Sequence, residues 1–102
     1  MVEPFDDANV RRCIRAILDG PGMTVFTRRA RAEFLENDMT SADAVNVLRG
    51  GHISKGARTD SGWTYRAETQ RMSVGFSFRG QERDSAAAPN ELVIESARRN
   101  NR

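Results

Sequence analysis

The spacing of the apolar residues changes once along this chain, at Gly50-Gly51, and that change limits the folds open to it. Upstream they recur every three to four residues and downstream every two, a pattern that calls for helices laid against a sheet formed from the later sequence. Val10, Ile14, Ile17 and Leu18 make one stripe of a helix from Asp6 to Asp19. Asp6 and Asp7 suit the positive end of its dipole, and Gly20-Pro21-Gly22 stops it. Met23, Val25 and Phe26 form a brief β-prone stretch. Thr27 can cap a second helix running to about Asn37 with Ala30, Phe34 and Leu35 inward, and Thr40-Ser41-Ala42-Asp43 opens a third with Ala44, Val45 and Leu48 on one face.

Beyond Gly51 the strands expected are His52 to Lys55, Trp63 to Glu68, Met72 to Arg79 and Glu91 to Ala97. Trp63, Tyr65 and Ala67 share one side of their strand, as do Met72, Val74, Phe76 and Phe78 of theirs; Leu92, Val93 and Ile94 build the last. Parity then puts Ser73, Gly75, Ser77 and Arg79 on an open face. Gly80 to Asn90 reads as a polar mobile loop, and the tail from Arg98 as frayed. The expectation is one α+β domain over residues 1–102, its helical part about 6–49 and its sheet part about 52–97. The helices would cover one face of an antiparallel meander.

A chain of 102 residues supports one core. No apolar run approaches the roughly 20 residues of a membrane span, and no basic segment leading into an apolar one marks a secretory signal, so the expected location is cytoplasmic with no membrane partner. A single Cys13 and a single His52 exclude a disulfide scaffold, a thiolate cluster and a two-histidine metal site. No metal and no cofactor are expected, since neither Gly20-Pro21-Gly22 nor Gly50-Gly51 matches a phosphate-cradling loop and no nucleophile elbow occurs. Of the 16 cations 15 are arginine and one is Lys55, while net charge is only +2, so a basic surface must come from clustering. Guanidinium forks suit RNA phosphates; a coding bias against lysine accounts for the same count.

Polar residues gather at and after the helix-to-sheet junction: His52, Lys55, Arg58, Tyr65, Arg66, Gln70, Arg71, Arg79, Arg98 and Arg99. An open sheet face carrying them can grip a phosphodiester. Cleavage of RNA by its own 2′-hydroxyl needs a proton acceptor, cations for the phosphorane and a donor for the leaving oxygen, all of which these side chains supply. A solvated sheet face has the same composition, and the parity of Tyr65 with Trp63 points Tyr65 toward the core.

The segments Phe26-Thr27-Arg28-Arg29-Ala30-Arg31-Ala32-Glu33-Phe34, Met39 to Gly51 and Gly62-Trp63-Thr64-Tyr65-Arg66 occur in an order that resembles the motility quorum-sensing regulator (MqsR) toxins and the small domains grouped near BrnT and RelE-type toxins. The likeness spans nearly the whole chain. It implies a RelE-like fold, metal-independent endoribonuclease activity on mRNA, free or ribosome-bound, and a cognate antitoxin as partner. It also implies that Lys55 and Arg98 hold the scissile phosphate; on the residues' own chemistry, Arg58, Arg66, Arg71 and Arg79 are expected to bind RNA and His52 or Tyr65 to transfer a proton. The sequence departs from that pattern at Thr64, at Met72 and at Arg29, which stands where the related domains commonly carry histidine. The other reading is a non-enzymatic module binding protein or nucleic acid through the same face.

Overall fold

The second and third helices start on the Thr27 and Thr40 caps expected of them, and the first starts one residue later than expected, with Asp6 as its cap. The computed structural model describes residues 3–60, 62–80 and 89–100, with Lys55 and Gly56 described through the backbone alone. Helix α1 spans Asp7–Asp19, and the side chain of Asp6 accepts from the Asn9 N–H at 2.8 Å. Strand β1 is Met23–Phe26, and α2 is Arg28–Glu36, capped by the Thr27 hydroxyl. Helix α3, Ser41–Gly50, has a reciprocal capping box: Asp43 N–H donates to Thr40 Oγ1, and Thr40 N–H donates to the Asp43 carboxylate. Strands β2 (His52–Thr59), β3 (Gly62–Glu68), β4 (Met72–Arg79) and β5 (Glu91–Arg99) complete the α+β fold.

The five strands form one sheet in the order β1-β5-β4-β3-β2. It is mixed, which corrects the expectation of an antiparallel sheet: β2 to β5 form the antiparallel meander, and β1 pairs parallel with β5, Val25 opposite Val93. A strand between the first two helices has no hairpin partner available, so it adds to the edge that the last strand leaves open. Val10, Cys13, Ile14 and Ile17 of α1, Ala30 and Phe34 of α2, and Ala44, Val47 and Leu48 of α3 share one buried cluster with Ile53, Tyr65, Ala67, Val74, Phe76, Phe78, Leu92, Ile94 and Ala97. Phe76 and Tyr65 are its largest fully buried side chains, and their rings stack at 5.8 Å.

Several expectations shift on contact with tertiary packing. Leu35 is 86% exposed, because the buried face of α2 is set by Ala30 and Phe34 and lies roughly one residue's 100° turn away. Val47, not Val45, completes the buried face of α3. Strand β5 runs through Arg98 to Arg99 instead of fraying, for its outer edge beyond β1 is occupied by α2 side chains: Ala97 N–H donates to Glu33 Oε1 at 2.8 Å and Arg99 N–H to Asn37 Oδ1 at 3.0 Å. The Arg99 guanidinium adds bonds to the carbonyls of Asn37 and Asp38. The face opposite the helices is not open throughout, since Ser77 and Val93 are buried there. Of the expected mobile loop, residues 81–88 lie outside the described residues.

Candidate functional site

The pairing register aligns polar residues in two rows across the sheet face opposite α1 and α3. One row is His52, Glu68, Ser73, Arg98; the next but one is Ser54, Arg66, Gly75, Ser96. Between them runs Ile53, Ala67, Val74, Ala97, which points the other way into the core.

Toward β5 these rows deepen into a hollow. It has a volume of about 70 Å³ and is lined by Arg29 and Glu33 of α2 together with Arg66, Ser73, Gly75, Ser96 and Arg98 of the strands. Two local features build it. The pairing steps from Gly75↔Ser96 to Phe76↔Ile94, so Glu95 is an extra residue in β5, and the bulge lets Leu92, Ile94 and Ala97 all turn inward while Ser96 stays outward. At Gly75 a Cβ would lie 2.4 Å from Ser96 Oγ, so a side chain there would cover the serine hydroxyl. Glu33 borders the hollow with its carboxylate engaged on both oxygens, Oε1 by the Ala97 N–H and Oε2 by Arg29 Nε at 3.2 Å. Arg66, Arg98, Ser73 and Ser96 make no side-chain hydrogen bond or ion pair among the described residues.

The hollow brings together Arg66 and Arg98 of the sequence-derived candidates, and His52, Arg58, Tyr65, Arg71 and Arg79 are not among its lining residues. His52 is exposed on the same face, three strands from Arg98 in the same row. Arg79 lies on this face by parity, opposite Glu91 and about 13 Å along β4 from Gly75. Arg58, exposed, pairs with Trp63 near the far end of β2. Arg71 sits in the β3–β4 turn and lines a separate surface with Asp43, Asn46 and Val47 of α3. The Lys55 side chain lies outside the described residues; its backbone pairs with Tyr65, three strands and three residues from Arg98, or about 17 Å by strand spacing and rise.

Tyr65 is 1% exposed and belongs to the core. Its hydroxyl accepts from the Phe5 N–H at 3.1 Å and donates to Glu3 Oε2 at 2.7 Å. Burial pushes its ionisation above the usual tyrosine range, with the neighbouring Glu3 carboxylate acting in the same direction. Tyr65 holds the N-terminal segment against the sheet, and it is removed from the set of proton-transfer candidates. Burial likewise pushes the Cys13 thiol up, away from reactivity.

Sequence reasoning did not single out Arg29, Glu33, Ser73 or Ser96 for the site. The missed signal for Ser96 is the broken alternation of Leu92, Ile94 and Ala97, which requires a bulge if all three are inward. A second basic surface, lined by Arg11, Arg15 and Arg49 between α1 and α3, has two of its arginines engaged: Arg11 donates to the Gly51 carbonyl and Arg49 to Asp19, each at 2.7 Å. Among the described residues no group of three His, Cys, Asp or Glu side chains is placed to hold a metal ion. No helix among them is long and apolar enough to cross a membrane. The chain matches no known protein family, and no curated protein or solved structure matches it at a significant level.

Proposed function

We propose that this chain binds RNA through the arginine-lined half of its open sheet face, as the toxin of a type II toxin–antitoxin pair with a RelE-like arrangement and metal-independent endoribonuclease activity. The observation that carries the reading is the convergence of Arg29, Arg66 and Arg98 over a floor of Ser73, Gly75 and Ser96. The Arg66 and Arg98 guanidiniums, which have no carboxylate partner among the described residues, are suited to phosphate oxygens, and an antiparallel face leaves room for an extended strand. In the cleavage step the 2′-oxygen bonds to phosphorus as its proton passes to a base, the P–O5′ bond breaks, and the 5′-oxygen takes up a proton. With Tyr65 in the core, His52 is the proton-transfer group on this face, and the arginines hold the flanking phosphates. The partner is an antitoxin that neutralises this face, and the setting is the cytoplasm.

The burial of Tyr65 favours a second reading, in which the face binds RNA without cutting it. Incubation with an mRNA in chelator distinguishes the two. The toxin reading expects fragments ending in 2′,3′-cyclic phosphate and 5′-hydroxyl, lost in His52→Ala with binding retained. Binding with no fragments supports the non-enzymatic module, and absence of binding overturns both.

A further inference from the structure

We infer that the hollow between α2 and strands β3 to β5 is a receptor for one phosphate monoester, and that in RNA it takes a terminal phosphate. This rests on the reading that the open face binds RNA, and it specifies which phosphate sits where. Size is the first argument: at about 70 Å³ the hollow has room for a group the size of a tetrahedral oxyanion. Charge is the second. Three arginines and Glu33 leave the hollow with a formal charge of +2, which matches the −1.5 to −2 of a phosphate monoester near pH 7 (about, with a second pKa of about 6) better than the single charge of a diester.

The donor inventory agrees. Each Glu33 carboxylate oxygen already accepts one bond, one from the Ala97 N–H and the other from Arg29. The polar groups left to a ligand are the Arg66 and Arg98 guanidiniums, the outer N–H groups of Arg29, and the hydroxyls of Ser73 and Ser96. A monoester offers three terminal oxygens to such a set and a diester two. Gly75 keeps the Ser96 hydroxyl accessible, because a Cβ there would fall 2.4 Å from it. Among the described residues no aromatic side chain lines the hollow, so the phosphate is its principal ligand.

The test is fluorescence anisotropy with the full chain and one RNA oligomer made with a 5′-phosphate, a 5′-hydroxyl or a 3′-phosphate, with a nucleoside 5′-monophosphate and a phosphoserine peptide as competitors. The 5′-phosphorylated oligomer should bind about tenfold more tightly than its 5′-hydroxyl form, the gain of one strong charge-assisted contact. That preference should vanish in Arg98→Gln, shrink in Ser96→Ala, and persist in Arg31→Gln, which removes a charge from α2 outside the hollow; thermal melts confirm that each variant is folded. Equal binding of the 5′-phosphate and 5′-hydroxyl forms overturns the inference while leaving RNA binding by the face intact. A 3′-phosphorylated oligomer should show the same gain over the 5′-hydroxyl form, whereas a free nucleotide bound as well as either phosphorylated oligomer, or stronger capture of the phosphopeptide, overturns the RNA end as the ligand. No binding of any oligomer overturns the RNA reading itself.

Discussion

The Ala97 N–H, which has no strand to pair with once β1 has ended at Phe26, donates to Glu33 Oε1 at 2.8 Å, so a helix side chain continues the sheet edge. The same carboxylate holds Arg29 at the rim of the arginine-lined hollow, and one residue thus joins the stability of β5 to the shape of the site. Replacing Glu33 with Ala leaves a half-buried N–H without its acceptor and should cost about 1–3 kcal/mol, whereas Glu33→Gln retains an acceptor and should cost less. Urea melts of the two variants check the order; equal losses would mean that the edge bond contributes nothing.

Phe76 is fully buried and touches both Tyr65 and Phe78, so Phe76→Ala should cost about 3–5 kcal/mol. Ser77, its neighbour on the other face, is 8% exposed and donates to Glu95 Oε2 at 2.5 Å. Ser77→Ala should therefore cost about 0.5–1.5 kcal/mol, more than the near-zero change of an open-face serine. Thermal melts of both variants measure the contrast.

Tyr65 ionises in the unfolded chain near pH 10 and only at higher pH when folded, because burial opposes the phenolate. Its raised ionisation contributes stability that is fully present below about pH 10 and is lost as pH rises further. Tyr65→Phe should abolish this alkaline slope and lower stability at neutral pH by about 1–3 kcal/mol, through loss of the bonds to Phe5 and Glu3. Stability against pH, followed by circular dichroism, is the measurement, and a slope unchanged in the variant would assign it to another group.

Salt dependence of RNA binding reports which arginines contact phosphate. For single strands the slope of log affinity against log salt is about −0.7 per phosphate neutralised, so Arg66→Ala and Arg98→Ala should each make it shallower by about one contact. Arg71→Ala should leave the slope unchanged, since Arg71 lies against α3 on a different surface. A larger effect from Arg71 would move the binding surface away from the hollow.

Local chemistry was legible in the sequence wherever neighbours along the chain decide the outcome. Thr27 and Thr40 cap their helices because a cap is a bond across three residues, and Val74, Phe76 and Phe78 enter the core because a strand alternates. The same alternation placed Tyr65 inward. What only the tertiary structure decided are relations between distant segments: the parallel pairing of β1 with β5, the bulge at Glu95 that reconciles Ile94 with Ala97, and the side chains of α2 that extend β5 to Arg99. Arg66 and Arg98 stood out as cations, but their meeting with Arg29 over Gly75 depends on the register of three strands and the docking of a helix against their edge. No local periodicity carries that information, because packing across the sheet, and not spacing along the chain, sets which side chains share a surface.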